Sequence, residues 1–185
     1  MIVLASASPR RRQLLGSAGI SFVAQTADIS EAPRSGEAPR ALAERLAREK
    51  AQAVFRLRPN DVVLGADTIV VVDAQILGKP RDAGEATRML RLLSGRSHQV
   101  ITGVCVMGPG FEEVRSESTV VTVCELTDQD IHTYIATGEP MDKAGAYAIQ
   151  GFASRWIPRV EGDYCNVVGL PVSLVYGILR ERGAI

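Results

Sequence analysis

Two charged residues stand where the surrounding pattern asks for apolar side chains. Lys50 lies in "RALAERLAREKAQAVFRLR" (40–58), which has helical periodicity. At about 100° per residue, Leu42, Leu46, Ala53 and Leu57 share one narrow stripe with Lys50, while Arg45, Arg48, Glu49, Gln52 and Arg56 fall outside it. Asp67 lies inside "VVLGADTIVVV", flanked by apolar residues on both sides. A carboxylate there must be paired, hydrogen-bonded or bound to metal, or else largely neutral. The functional reading is a lysine aimed at an anion and an aspartate serving as metal ligand or general base. The structural alternatives are a lysine stem that packs while its ammonium reaches water, and an aspartate in a β-bulge beside Gly65.

A third feature is "SASPRRRQLLGSAG" (6–19). Ser8 suits the cap and Pro9 the first turn of a helix. Arginines follow at positions 10–12, at the end where the helix dipole and free N–H groups favour an anion rather than cations. Taken together, Arg10, Arg11, Lys50 and Lys79 of "LGKP" can neutralise a polyphosphate, with backbone N–H groups near Ser8–Pro9 as further donors. Asp67, with Glu31, can hold the divalent metal that a polyphosphate brings. The chain has no G-x-x-x-x-G-K-[ST] loop and no well-formed G-x-G-x-x-G, and Ser6 and Ser8 lack a nucleophile elbow. His98 and His132 are isolated, and His132 reads as a structural helix residue.

These residues belong to a chain of 185 amino acids with 21 basic and 21 acidic side chains. Zero formal charge argues against a protein that grips nucleic acid through a broad basic surface. With only 5% aromatic residues, stacking platforms for single strands are also hard to build. Cys105, Cys124 and Cys165 match no metal-ligand spacing and read as reduced thiols in a cytosolic setting. The first apolar stretch precedes the arginines, the reverse of a signal peptide. No apolar run approaches the roughly 20 residues of a membrane helix. The expectation is a cytoplasmic protein with no membrane and no nucleic-acid partner.

The elements that must carry the charges follow from the pattern. "IVLAS" (2–6) reads as a buried strand leading into the helix at Pro9, which Gly19 ends. "SFVAQTADIS" reads as a second strand, 40–58 as a helix, and "DVVLGADTIVVVD" (61–73) as a long β segment interrupted at Gly65–Asp67. Asp82 and Glu85 frame a capping-box-like start for a helix stopped by Gly95. "HQVITGVCVMG" and "VRSESTVVTVCEL" alternate as neighbouring antiparallel strands around Gly108–Gly110. Thr127 caps another helix, "SRWIPRVEGDYCNVVG" suggests a hairpin, and "LPVSLVYGILRER" a closing helix. The mixture implies a single α/β domain over residues 1–185 with a mixed sheet.

At these residues the sequence resembles the Maf family of nucleoside triphosphate pyrophosphatases. The matching blocks are "LASASPRRRQLL" (4–15), "LAREKA" (46–51), "GADTIV" (65–70), "GKPRD" (78–82), "MLRLLSGRSHQVITGV" (89–104), "EPMDKAGAYAIQG" (139–151) and "VVGLP" (167–171). They follow family order along essentially the whole chain, and "DKAGAYAIQG" resembles the branch acting on dTTP and UTP. After Gln150–Gly151 the chain reads "FASRW", where many relatives carry further glycine.

The resemblance implies an inosine triphosphate pyrophosphatase-like fold: an elongated, mixed, curved sheet flanked by helices, with a central cleft between two lobes. It also implies a cytoplasmic enzyme, a homodimer, dependent on Mg²⁺ or Mn²⁺. By the same resemblance Asp67 is the proton acceptor, and Arg10, Thr68 and Gln150 are the positions tied to substrate choice. Ser6, Arg11, Glu31, Lys50 and Lys79 match other polar positions of the site, Lys50 and Lys79 offsetting phosphate charge during catalysis. The amide of Gln150 can complement the N3–H and carbonyl edge of thymine or uracil. The expected reaction is hydrolysis of a nucleoside triphosphate to the monophosphate and pyrophosphate. The alternative is a nucleotide-binding regulator of septum formation that does not turn its ligand over.

Overall fold

In the computed structural model, which describes residues 1–185, seven strands form one mixed sheet in the order β2-β1-β3-β5-β6-β7, with β4 paired to β3. The strands are β1 (Ile2–Leu4), β2 (Val23–Ala24), β3 (Val62–Val72), β4 (Gln75–Leu77), β5 (Ser97–Gly108), β6 (Phe111–Thr122) and β7 (Arg159–Glu161). Six α-helices accompany them: α1 (Pro9–Ser17), α2 (Pro39–Phe55), α3 (Ala83–Leu93), α4 (Asp128–Ala136), α5 (Tyr164–Val168) and α6 (Val172–Glu181). This is the mixed α/β architecture that the sequence predicts. No helix is long and apolar enough to cross a membrane. The chain divides into two compact units, one of Met1–Thr68, Thr102–Glu117 and Gly169–Ile185, the other of Ile69–Ile101 and Ser118–Val168.

The first unit shows how strand alternation builds a two-sided core. β1 pairs parallel with β2 and with β3, Leu4 opposite Leu64. Successive side chains point to opposite faces. Ile2, Leu4, Leu64, Ala66, Val104 and Val106 therefore pack with Leu15 of α1 and Val175, Ile178 and Leu179 of α6. Val3, Val63, Cys105 and Met107 pack on the other side with Ala47, Ala51 and Val54 of α2. Burial in that layer pushes the Cys105 thiol up to about 12, so it is an inert apolar side chain at neutral pH.

α2 lies unusually close to the sheet. A Cβ built on Gly65 would stand 2.2 Å from the Ala47 carbonyl oxygen, and one on Gly103 would stand 2.3 Å from that of Ala43. Gly65 therefore marks the place where helix backbone rests on strand backbone, and β3 runs through it unbroken. This corrects the expected interruption at Gly65–Asp67. The buried face of α2 is Leu42, Ala43, Leu46, Ala47, Lys50, Ala51 and Val54. Leu57, placed on that face by periodicity, lies beyond the helix end and is 72% exposed.

In the second unit, the Asp82 side chain caps α3 by accepting the Glu85 N–H, while Glu85 turns to the Arg81 N–H. A complete capping box of Thr127 and Asp130 starts α4. The hairpin expected over "SRWIPRVEGDYCNVVG" is not formed. A 3₁₀ helix (Phe152–Trp156) leads to β7, which pairs antiparallel with β6, and α5 follows. Asp163 explains the change: its Oδ1 accepts the Cys165 and Asn166 N–H groups, capping a helix where a return strand was expected. The expected strand over "SFVAQTADIS" shrinks to Val23–Ala24.

The close helix–sheet contact yields a direct test. Gly65→Ala drives a methyl into the α2 backbone and is expected to destabilise the protein by about 2–3 kcal/mol, read as a lowered urea midpoint. An unchanged midpoint would show that α2 can stand off from the sheet at no cost.

Candidate active site

The alternation that sorts the core also sorts the site. Val63, Gly65 and Asp67 share the face of β3 that meets α2, and Leu64, Ala66 and Thr68 share the other. On the α2 face, Lys50 immediately precedes Ala51, the residue pressed against Gly65. Its ammonium consequently arrives at Asp67: Lys50 Nζ donates to Asp67 Oδ1 at 2.6 Å and lies 2.6 Å from Glu31 Oε1. Lys50 and Asp67 are each 8% exposed, while the Glu31 side chain is about half exposed (51%). A buried lysine between two carboxylates meets the requirement that buried charge be paired and hydrogen-bonded. The snorkelling and β-bulge alternatives are thereby corrected: the ammonium is held inside, and the aspartate stands in a continuous strand.

The opposite face of β3 carries the arginine. The Ala5 N–H donates to the Leu64 carbonyl, after which the chain leaves the sheet and Ser8 caps α1. Arg11 points back inward. Its Nε donates to the Gly169 carbonyl (2.7 Å), Nη1 to Ser6 Oγ (3.3 Å) and Nη2 to Thr68 Oγ1 (3.0 Å). Thr68 Oγ1 also lies 2.9 Å from Thr102 Oγ1. Burial lowers the pKa of Arg11, against which the charges of Asp67 and Glu31 act. Arg10 is half-buried and has no ion-pair partner, and Arg12 is exposed.

Glu31 owes its place to a residue that periodicity sets aside. Arg45, on the flank of α2, donates to both oxygens of Glu37 (2.6 and 2.8 Å), to Glu49 and to the Ala32 carbonyl (3.1 Å). It thus fastens the segment carrying Glu31 to the helix carrying Lys50. The i,i+4 spacing of Arg45 and Glu49 was readable; the reach to Glu37 and Ala32 was not.

The first unit therefore brings together Ser6, Arg11, Glu31, Lys50, Asp67 and Thr68, with Arg10 next in the chain. Lys79 and Gln150 belong to the second unit. Lys79 is exposed, without an ion-pair partner, in the turn after β4; Gly78 beside it accepts the Gly145 N–H at 3.0 Å. Gln150 is exposed in the turn 148–151, closed by the Gly151 N–H on the Ala148 carbonyl (3.1 Å). His98 is buried against the Tyr147 hydroxyl (2.7 Å), and burial pushes its pKa down to about 4. It is a neutral core residue.

Glu31 and Asp67 supply hard carboxylate oxygens, and no group of three or more His, Cys, Asp or Glu accompanies them. Such a pair does not form an all-protein cage. It fits a cation such as Mg²⁺ or Mn²⁺ that takes one or two carboxylates and completes its shell with water and phosphate.

A sequence profile of the family described as Maf-like protein matches residues 1–182. The dTTP/UTP pyrophosphatase of Koribacter versatilis is 55% identical over 184 residues, covering 100% of this chain and 95% of that one. The dTTP/UTP pyrophosphatase of Syntrophomonas wolfei is 52% identical, covering 97% and 96%. Among solved structures, the Ham1 protein of Staphylococcus aureus aligns over 98% of each chain with a TM-score of 0.55 at 14% identity, a likeness of fold.

The Arg45 fastening has a titration signature. Hydrogen bonds from Arg45, helped by the Arg34 N–H, hold the Glu37 carboxyl at about 2 against an ordinary 4.5. A carboxyl lowered on folding contributes stability above its unfolded value, and that contribution is lost as pH falls through the folded one. Carbon-detected NMR should find the Glu37 midpoint near 2 and, in Arg45→Gln, raised toward 4.5, with the Arg34 N–H still holding it below that value. The acid loss of stability between those values should shrink in the variant. A midpoint near 4.5 in the unaltered protein would contradict the contact.

Proposed function

The chain belongs to the Maf family, and from that footing we propose that it hydrolyses nucleoside triphosphates, dTTP and UTP foremost, to the monophosphate and pyrophosphate. The names of its half-identical relatives support the substrate class. The observation that carries the reaction is Lys50 held between Asp67 and Glu31 in the same unit as the Arg11–Ser6–Thr68 cluster.

Hydrolysis of this kind asks for positioning and charge stabilisation more than for covalent chemistry. Water attacks the α-phosphorus, its proton passes to an Asp67 carboxylate oxygen, and the bond to the β-phosphate oxygen breaks to release pyrophosphate. Lys50 has three N–H donors, two of them directed at Asp67 and Glu31, so one remains for a phosphate oxygen. That arrangement lets Lys50 orient the base and offset phosphate charge together. Arg10, with no internal ion pair, is available to the phosphates. Arg11, itself held by Ser6 and the Gly169 carbonyl, fixes the Thr68 hydroxyl. Lys79 contributes a further cation, and Gln150 the paired donor and acceptor that suit the N3–H and carbonyl edge of thymine or uracil.

Glu31 would hold the divalent cation, which when bound neutralises phosphate oxygens; Asp67 would join it as a ligand only if another group took the proton of the water. Residence in the cytoplasm and assembly as a homodimer complete the reading; the family resemblance supports both.

The test is product analysis on purified protein with dTTP and Mg²⁺ or Mn²⁺. Equal amounts of dTMP and pyrophosphate are expected, with Asp67→Asn lowering kcat by at least about 10²-fold. Release of orthophosphate would place the cut elsewhere, and binding without turnover would favour a nucleotide-responsive regulator. Full turnover by Asp67→Asn would remove the carboxylate from its role.

A further inference from the structure

Gln150 sits in a turn whose two flanks are gripped by one pair of side chains. Tyr134, near the end of α4, donates its hydroxyl hydrogen to Glu139 Oε1 (2.8 Å), and the Tyr134 hydroxyl oxygen accepts the Ala148 N–H (3.1 Å). The Glu139 carboxylate accepts the Phe152 N–H through both oxygens (3.2 Å each). Ala148 and Phe152 bracket the turn. Between them the Gly151 N–H closes on the Ala148 carbonyl, leaving Gln150 exposed at the corner.

Two further contacts stiffen the arrangement. The Tyr134 ring stacks on Phe152 (centroids 5.5 Å, planes 16° apart), and both rings meet Trp156 edge-on. Residue 151 must be glycine for the carboxylate to come so near, because a Cβ there would stand 2.2 Å from Glu139 Oε1. A hydrogen-bonding side chain discriminates between bases only if its own direction is fixed. The long, flexible Gln150 cannot fix itself.

We propose that Tyr134 and Glu139 are positioning residues for base selection, holding the turn 148–152 so that Gln150 presents its amide in one orientation. The proposal rests on the reading of Gln150 given under Proposed function. Both act through Gln150 rather than by a contact of their own. Their effect falls on which pyrimidine is chosen and how tightly it binds, rather than on the hydrolytic step. Tyr134→Phe is the sharpest probe because it removes the hydroxyl and keeps the stacked ring.

The experiment compares kcat/KM for dTTP and CTP, each as the magnesium complex, in the full chain and in Gln150→Ala, Tyr134→Phe, Glu139→Ala and the double variant Gln150→Ala/Tyr134→Phe. Losing an oriented hydrogen bond is expected to lower the dTTP-to-CTP ratio about tenfold, chiefly through a higher KM for dTTP. The double variant should fall no further than Gln150→Ala. If Gln150→Ala relaxes selectivity while Tyr134→Phe and Glu139→Ala lower both substrates equally, the two residues serve stability alone and the proposal is overturned. If the Tyr134 and Glu139 variants relax selectivity while Gln150→Ala does not, the turn selects the base through another of its groups, and both the role given to Gln150 and the proposal that Tyr134 and Glu139 act by orienting it are overturned. Unchanged selectivity in all four variants overturns both.

Discussion

A single ammonium set between two carboxylates organises the first unit. Burying Lys50 without acids, or Asp67 without a cation, would leave an unpaired charge in the interior. Removing one partner of such a pair costs about 3–5 kcal/mol. The two groups come from different elements, a helix and a strand 17 positions apart in the chain. They meet only because the helix lies almost on the strand. Gly65 and Gly103 remove the side chains that would hold α2 away, and Ala43, Ala47 and Ala51, all fully buried, offer the thinnest helix face available. The glycine and alanine pattern and the charged pair are thus two parts of one constraint.

On the other face of β3 an arginine performs a comparable gathering. Arg11 bonds Ser6 on its own segment, Thr68 in mid-strand and the Gly169 carbonyl 158 residues away. Because side chains alternate along β3, Asp67 and Thr68 are adjacent in sequence yet join different clusters. Asp67 belongs with Lys50 and Glu31, and Thr68 with Arg11 and Ser6. The charge of Arg11 is sustained within this balance, since burial opposes it while Asp67 and Glu31 favour it.

What could be read from the sequence was local and periodic. Lys50 on a buried helix face, Asp67 in an apolar strand, and the Ser8, Asp82 and Thr127 caps all follow from spacings of a few residues. The failures share a cause, which is contact between distant segments. Gly65 looked like a break because its reason, the backbone of α2, is absent from its neighbours in the chain. Leu57 fitted a stripe that the helix does not live to complete. Asp163 turned an expected return strand into α5 by taking two N–H groups that periodicity does not register. Arg45 and Tyr134 carried no motif of their own, Glu139 stood out only as the first residue of the block 139–151, and their importance appears only when the segments they fasten are seen together. Arg11 was legible as a cation with an unusual position, but its bonds to Gly169 and Thr68 were not.

The coupling of Lys50 to Asp67 is the centre of this account, and a double-mutant cycle on kcat for dTTP measures it most directly. Residues that act as a unit show strongly non-additive losses. Lys50→Met and Asp67→Asn should each abolish most turnover, and the double variant should be no slower than the slower single one. Losses that multiply in the double variant, or a Lys50→Met enzyme with undiminished kcat, would mean that the lysine and the aspartate work independently.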